Sequence, residues 1–440
     1  VNSYKISIIG AGLAGCEAAL FLSQHGFEVT LYEAKPEYIS PAHSLDTLAE
    51  LVCSNSLGSS VGSSSSASLV KELRILGSNL IDVAETCLVP AGNAIAVDRK
   101  AFSERITEKI KSSGIKLINQ EITDLSEIPK PILISTGPMT SPAFTLSLKQ
   151  LLDDENSNLF YFDASAPIVT RNSLNEKEGF WKGRYQDDNH DYFNAVLDKE
   201  TYLKFREELI NSEKVELKDF EKGDLFEGCL PIEELARRGE DTMRYGPMKP
   251  VGLRFPGTEV TPHAVVQLRR EDTNGELLNL VGFQTRLKWG EQKRVFSLIP
   301  AFNNVEFIRY GVMHKNTFIN SSKLLNKTLN LKSDEDVFFA GQITGTEGYA
   351  ESLACALAVS VYIVQKYREN TQILFPETTL TGSLLNYITS TSEKTFQPMK
   401  ANYGLLEHPF KKVRPKRLRK ETLSKYVQDE MKLFLTQLDL

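Results

Sequence analysis

Apolar and polar positions fall into a strand–helix–strand rhythm over the first 33 residues. Lys5 to Ile9 is a short apolar run of strand length, Cys16 to Gln24 carries an Ala/Leu-rich helical pattern that stops before Gly26, and Glu28 to Tyr32 is a second strand. Helical spacing returns at Leu69 to Leu76 and at Arg99 to Ser112, and strands are expected at Lys116 to Asn119 and Pro131 to Ser135. Near the far end, Asp336 to Ala340 reads as a strand that runs into a helix over Ala350 to Tyr362. Strands interleaved with helices predict an α/β fold around a parallel sheet. Between about Asn172 and Pro300 the pattern shifts toward charge and aromatics, with strand-like alternation at Ala264 to Arg269 and Leu278 to Thr285. This predicts an α+β domain at 172–300 inserted between two parts of the first domain, 1–171 and 301–440.

The turns between these elements carry the chemistry. Gly10-Ala11-Gly12-Leu13-Ala14-Gly15 is an unbroken GxGxxG between strand and helix. Gly10 allows the tight turn, Gly12 lets the backbone reach a pyrophosphate, Gly15 lets helix and strand pack closely, and the helix N-terminus faces phosphate charge. Glu33 ends the second strand at roughly the ~20-residue offset expected of an acid that accepts ribose hydroxyls. The stretch Gly341-Gln342-Ile343-Thr344-Gly345-Thr346-Glu347-Gly348-Tyr349 is a second glycine-rich junction, whose helix N-terminus suits the pyrimidine edge of a flavin. Paired ends of this kind predict a Rossmann-like FAD-binding domain. No second GxGxxG follows, which argues against a separate NAD(P)H domain.

Composition narrows the classes. No apolar run approaches the ~20 residues of a membrane span, Leu353 to Val364 being too short, and the start does not read as a signal peptide, so a cytoplasmic protein is expected. The five cysteines, Cys16, Cys53, Cys87, Cys229 and Cys355, are widely spaced without CxxC, which argues against a disulfide framework or zinc site. The net charge of −6 is uneven: Lys411 to Lys420 holds seven basic residues in ten, and Arg286 to Arg294 adds four more. Such patches can bind a polyanion. Ser54 to Ser68 has nine serines in fifteen residues and no charge, a composition that predicts a flexible loop.

The glycine motif, LVCSNSL (Leu51 to Leu57), PAG-A-AVDR (Pro90 to Arg99), FEGCLPIEELARRG (Phe226 to Gly239), GPMKPVGL (Gly246 to Leu253), GFQTRLKWGEQKRVF (Gly282 to Phe296), RYGVMHKNTFI (Arg309 to Ile319), GQITGTEGYAES (Gly341 to Ser352) and FQPM-AN-GLL (Phe396 to Leu406) together resemble the folate- and FAD-dependent tRNA (uracil-5-)-methyltransferases, TrmFO, relatives of the GidA flavoproteins. The resemblance implies that methylenetetrahydrofolate supplies a one-carbon unit to C5 of an RNA uracil, that FAD supplies reducing equivalents, and that NAD(P)H renews them. Cys229 matches the cysteine that attacks uracil, and Cys53 the second active-site cysteine, assigned to guarding the flavin or to proton transfer. Without that match either cysteine reads as a small buried hydrophobe, as Cys16, Cys87 and Cys355 do.

Further candidates follow the same motifs. FAD contacts are expected from Gly10, Ala11, Gly12, Leu13, Ala14, Gly15, Glu33, Gly341, Gln342, Gly348 and Tyr349, with Tyr349 placed to stack on a flavin or pterin or simply to pack in the core. His314 is exposed by pattern and could meet folate or RNA, or neither. Arg286, Lys288, Lys293 and Arg294 flank Trp289, a mixture of cations and aromatic surface that suits RNA. Lys411, Lys412, Arg414, Lys416 and Arg417 form a second candidate phosphate-contacting stretch, and the bland reading of both patches is solvated surface.

One departure concerns the substrate. Most members continue SNSL with an arginine, where this chain has Gly58 and then the serine tract. The usual substrate is the T-loop uridine of tRNA, and the departure also suits a paralogue acting on 23S ribosomal RNA. A non-catalytic RNA-binding flavoprotein would need neither Cys53 nor Cys229, and a plain NAD(P)H:FAD oxidoreductase would leave the basic patches unexplained.

Overall fold

The computed structural model describes residues 4–152, 158–185, 190–215, 230–394, 396–412 and 414–438. A five-stranded parallel sheet runs in the order Val337–Phe339, Ile132–Ile134, Tyr4–Ile9, Phe27–Glu33, Lys116–Asn119. Its central strands are apolar on both faces, as a sheet covered on two sides requires, and Ile8, Leu31, Leu133 and Phe339 are fully buried. The helix expected at Cys16 begins earlier, at Leu13, and ends at Gln24, so Gly15 lies inside its first turn. It packs against Tyr349–Val364, a helix buried nearly all round because other helices surround it.

The second sheet is antiparallel and six-stranded, in the order Phe307–Arg309, Ile168–Thr170, Leu277–Leu280, Ala264–Arg270, Tyr192–Leu197, Gly179–Trp181. It therefore draws strands from 168 to 309, a few residues outside the 172–300 suggested by composition. The strand expected over Leu278 to Thr285 stops at Leu280, because Gly282 adopts φ +77° and a side chain there would meet Pro247 at 2.7 Å. Phe193, Phe205, Phe283, Phe296 and Phe302 fill its core, each fully buried ring contributing about 1.5–3 kcal/mol relative to exposure. A two-stranded ribbon, Asn158–Ala164 with Met313–Ile319, joins the two lobes. Among the described residues no helix is long and apolar enough to cross a membrane.

The serine tract is not a flexible loop. Ser56–Ser59 forms a strand against Ala94–Ala96, and Ser65–Ile75 is a helix capped by the Ser64 side chain, which accepts from the Ala67 N–H. Ser68 is fully buried, with its hydroxyl bonded to Tyr403 at 2.6 Å and Ser424 at 2.7 Å. Composition misleads here because the hydroxyls find backbone partners inside the tract and, at Ser68, side-chain partners far along the chain. Gly58 sits at φ +129°, with the space for a side chain closed by Ser66 Oγ at 2.9 Å. Two buried carboxylates bind helix ends to the core. Glu17 accepts from Ser78, Asn79 and Leu80, and Glu72 accepts from Leu380 and Thr381.

Candidate active site

The first glycine turn divides its work among three positions. Gly10 has φ +97°, and a Cβ there would lie 2.7 Å from the Ser135 carbonyl oxygen. A Cβ on Gly15 would overlap the Gly10 carbonyl oxygen itself, so helix and strand can approach this closely only with glycine. Beside Gly12 the space is open. That opening gives onto a cleft lined by Gly10, Gly12, Glu33, His43, Thr136 and Met139 among others. Glycine-bared backbone facing open space at a helix N-terminus fits a dinucleotide pyrophosphate.

Glu33 ends its strand on the cleft wall. Its two carboxylate oxygens accept the backbone N–H groups of Ala11 and Lys35, each at 3.1 Å, and every oxygen keeps a second lone pair for a ribose hydroxyl. The roof is the segment 34–50, stapled by Lys35 Nζ to the carbonyls of Leu45 (2.9 Å) and Thr47 (2.6 Å) and by Glu50 to Ser44 and Leu45. His43 hangs from it, 2.6 Å from the Ser40 hydroxyl, and burial pulls its pKa down to about 4.

The second glycine turn meets the first. Gly341 has φ +78°, and a Cβ there would come within 2.7 Å of Ala14 Cβ, so the two strand-to-helix junctions pack directly. Gln342 Nε2 donates to Glu347 at 2.7 Å, and Gly348 at φ +117° turns the chain into the helix that opens with Tyr349. Inside that first turn Glu351 is half-buried, and desolvation raises its pKa to about 7.

Cys53 is gripped from three sides. Its backbone N–H donates to the Tyr349 hydroxyl at 2.8 Å. Arg99 donates to the carbonyl of Leu51 and Arg309 to that of Val52. Arg99 is paired with Glu271 at 3.1 Å; burial opposes its charge, but that carboxylate overrides it and holds the guanidinium above its ordinary pKa. Arg309 is pushed the other way, by burial and then by the neighbouring Arg99. Burial also lifts the Tyr349 phenol well above its usual range. Asn55, two residues past the thiol, is fully buried and donates to the carbonyls of Val97 and Arg270. Reading the sequence missed Arg99, Glu271 and Arg309 as site residues, although two of them lie inside the motifs PAG-A-AVDR and RYGVMH.

Cys229 lies outside the described residues. The segment after it forms the helix Ile232–Arg238, with Glu233 and Glu234 in its first turn. Its start is fixed by Ile232 N–H to the Gln284 carbonyl at 2.8 Å and by buried Glu233, which accepts from the Thr285 hydroxyl at 2.9 Å and the Arg286 N–H at 3.0 Å. Of the other cysteines, Cys16, Cys87 and Cys355 are buried.

The basic patches separate. Arg286 needs a correction as an open RNA contact: its guanidinium is turned inward onto Glu233 and Glu234, where it ties its own loop to the helix Ile232–Arg238. Lys288 pairs with Glu213 at 2.8 Å, and Arg294 pairs with Glu291 at 2.8 Å and with Glu208, although all of these groups stay solvent-accessible. Lys293 is exposed. Along the C-terminal helix Lys416–Leu435, Arg417 is exposed and within 3.0 Å of Glu421, and Arg414 is exposed just before the helix. The side chains of Lys411, Lys412, Lys416 and His314 lie outside the described residues.

Comparison with known proteins agrees with this geometry. The sequence profile of the family "Glucose inhibited division protein A" matches residues 5–371. Methylenetetrahydrofolate–tRNA-(uracil-5-)-methyltransferase TrmFO of Caldicellulosiruptor bescii is 49% identical over 419 residues, covering 94% of this chain and 95% of the relative. The enzyme of the same name from Bacillus subtilis is 47% identical over 422 residues, covering 96% of each, and that of Aquifex aeolicus 48% over 437 residues, covering 99% and 97%. Among solved structures, Aquifex aeolicus GidA superposes with a TM-score of 0.69 at 14% identity, over 99% of this chain and 76% of that one, which shows a shared fold.

Proposed function

This chain belongs to the glucose inhibited division protein A family and, within it, to the TrmFO enzymes, and from that footing we propose that it forms 5-methyluridine at the T-loop uridine of tRNA. Methylenetetrahydrofolate is the carbon donor, and FAD, when bound, supplies the reducing equivalents that NAD(P)H renews. The glycines support FAD: Gly12 offers bare backbone to open space, and Gly341 and Ala14 bring the two turns together. The reading places the enzyme in the cytoplasm with its RNA.

The chain's own groups divide the uracil chemistry. C5 of uracil is a weak nucleophile until a thiolate adds to C6, and that addition is assigned to Cys229. The new S–C6 bond drives electron density to C5, which takes the one-carbon unit. C5 then gives its proton to the Cys53 thiolate as the one-carbon unit's bond to its carrier nitrogen breaks, leaving an exocyclic methylene; a hydride, which bound FAD would supply, turns that methylene into methyl, and the S–C6 bond breaks as the ring double bond returns. The observation that supports the Cys53 role is the grip on residues 51–53: Arg99, Arg309 and Tyr349 fix three successive backbone groups beside its thiol, while the Cys229 role rests on its motif. A cysteine kept only for packing needs no such support.

The test is covalent capture of tRNA containing 5-fluorouridine, whose C5 cannot lose a proton. Wild type should give an adduct that survives denaturing electrophoresis, and Cys229→Ala should give none. Undiminished capture by Cys229→Ala would reject its role as nucleophile. Gly58 and the serine tract favour, as a second reading, a uridine of 23S ribosomal RNA as substrate, and offering that RNA alongside tRNA separates the two.

A further inference from the structure

A ladder of aromatic rings rises out of the core of the second lobe and ends in solvent. Phe296 is fully buried against Phe283, with ring centroids 5.8 Å apart. Phe307 lies next, 6.3 Å from Phe296; Tyr310 stacks on Phe307 at 5.0 Å and 16°; and Trp289 stacks on Tyr310 at 5.6 Å and 13°. Trp289 is 64% exposed, and the position of the next residue, Gly290, opens onto empty space. One face of the indole is thus occupied by tyrosine, while much of the side chain remains in water.

The platform is rigid. Trp289 opens the helix Trp289–Phe296, and buried Gln292 in that helix donates to the carbonyls of Leu287 (2.7 Å) and Gly311 (2.8 Å) while accepting the Gly311 N–H at 2.8 Å. This locks the helix to the segment carrying Tyr310, so the two rings cannot slide apart without breaking buried hydrogen bonds. The platform also belongs to the segments that hold the active-site loops. Tyr310 directly follows Arg309, which grips Val52 beside Cys53, and Trp289 comes three residues after Arg286, whose guanidinium meets Glu234, five residues beyond Cys229.

We propose that Trp289, backed by Tyr310 and Phe307, is a stacking platform for an unstacked nucleobase of the RNA loop next to the target uridine. The inference rests on the RNA-methylating reading above. An enzyme that does chemistry at C5 and C6 must draw the uridine out of its stack, which leaves a neighbouring base without a partner. A flat, pre-ordered indole beside exposed Lys293 meets that need: the ring offers a π-face that any base can use, and the ammonium offers attraction to the adjoining phosphate. A protein partner would call for a broad apolar surface, whereas here one exposed ring stands in a segment that also carries Lys288, Lys293 and Arg294.

The chain has two tryptophans, Trp181 and Trp289, so Trp181→Phe leaves Trp289 as the sole indole reporter. With the full-length, FAD-loaded protein, titration with unmodified tRNA should quench that fluorescence. Trp289→Ala should weaken tRNA binding on the order of ten-fold, the scale of one lost base stack, while its affinity for a loop-free duplex RNA stays unchanged. Trp289→Phe should restore most of the difference. Unmoved fluorescence at saturating tRNA, wild-type affinity in Trp289→Ala, or equal loss for tRNA and duplex would each overturn the proposal. Wild type that binds tRNA with quenching but transfers no carbon would sink the methylation reading and leave the platform standing. Wild type that binds no RNA would sink both.

Discussion

The backbone N–H of Cys53 donates to the phenolic oxygen of Tyr349 across 296 positions of sequence, at 2.8 Å. This bond joins the loop after the first βαβ unit to the first residue of the helix that follows the second glycine turn. Replacing the tyrosine by phenylalanine keeps the ring and deletes only the acceptor. A partly buried N–H left without a partner costs about 1–3 kcal/mol. Tyr349→Phe should therefore retain FAD, melt a few degrees lower and lose on the order of ten-fold or more in kcat/KM, because a small misplacement of a reacting group is expensive. Unchanged melting and turnover would show that the bond does not position the thiol.

Gly12 and Gly15 should fail differently. Alanine at Gly12 meets nothing in the protein, so the variant should fold with wild-type melting and bind FAD weakly, visible as a lower ratio of flavin to protein absorbance. Alanine at Gly15 would drive Cβ into the Gly10 carbonyl, a backbone atom that cannot swing away, so that variant should lose stability as well as flavin. Equal behaviour of the two variants would contradict the division of labour in the turn.

The buried carboxylate of Glu72 gives a pH signature. Burial raises its pKa from 4.5 to about 7 in the folded protein, so between those values the folded state holds a proton that the unfolded state has released. The stabilisation is therefore full below the unfolded pKa and is lost as pH rises through about 7. Glu17 and Glu351 act with the same sign, whereas His43, lowered to about 4, acts oppositely up to its unfolded value. Comparison with Glu72→Gln isolates one group: wild-type Tm minus variant Tm should fall between about pH 5 and about pH 7.5. A constant difference would mean that Glu72 stays ionised throughout.

The C-terminal basic stretch should report through salt. Neutralising Lys411, Lys412, Arg414, Lys416 and Arg417 should weaken tRNA binding and flatten the slope of log affinity against log salt, since each phosphate contact releases counterions. An unchanged slope would make the stretch a solvated surface.

The first 33 residues were legible because strand, glycine turn and helix are local; the strands each lengthened by a residue at one or both ends, and the helix start moved from Cys16 to Leu13. The serine tract was not, because its order depends on Tyr403 and Ser424, more than 300 residues away. The motif LVCSNSL singles out Cys53, yet the grip on its loop is made by Arg99 and Arg309, 48 and 257 positions from the carbonyls they hold. Charge runs misled in a related way: Arg286 reads as a surface cation, and only the fold supplies Glu233 and Glu234 to turn it inward.

The central claim is methyl transfer to tRNA. Purified protein should be incubated with methylenetetrahydrofolate labelled in its one-carbon unit, NAD(P)H and, separately, unmodified tRNA and unmodified 23S ribosomal RNA. Label is expected in tRNA, recovered as 5-methyluridine from the T-loop. Label confined to ribosomal RNA, or no label in either from protein that holds FAD, would contradict the claim.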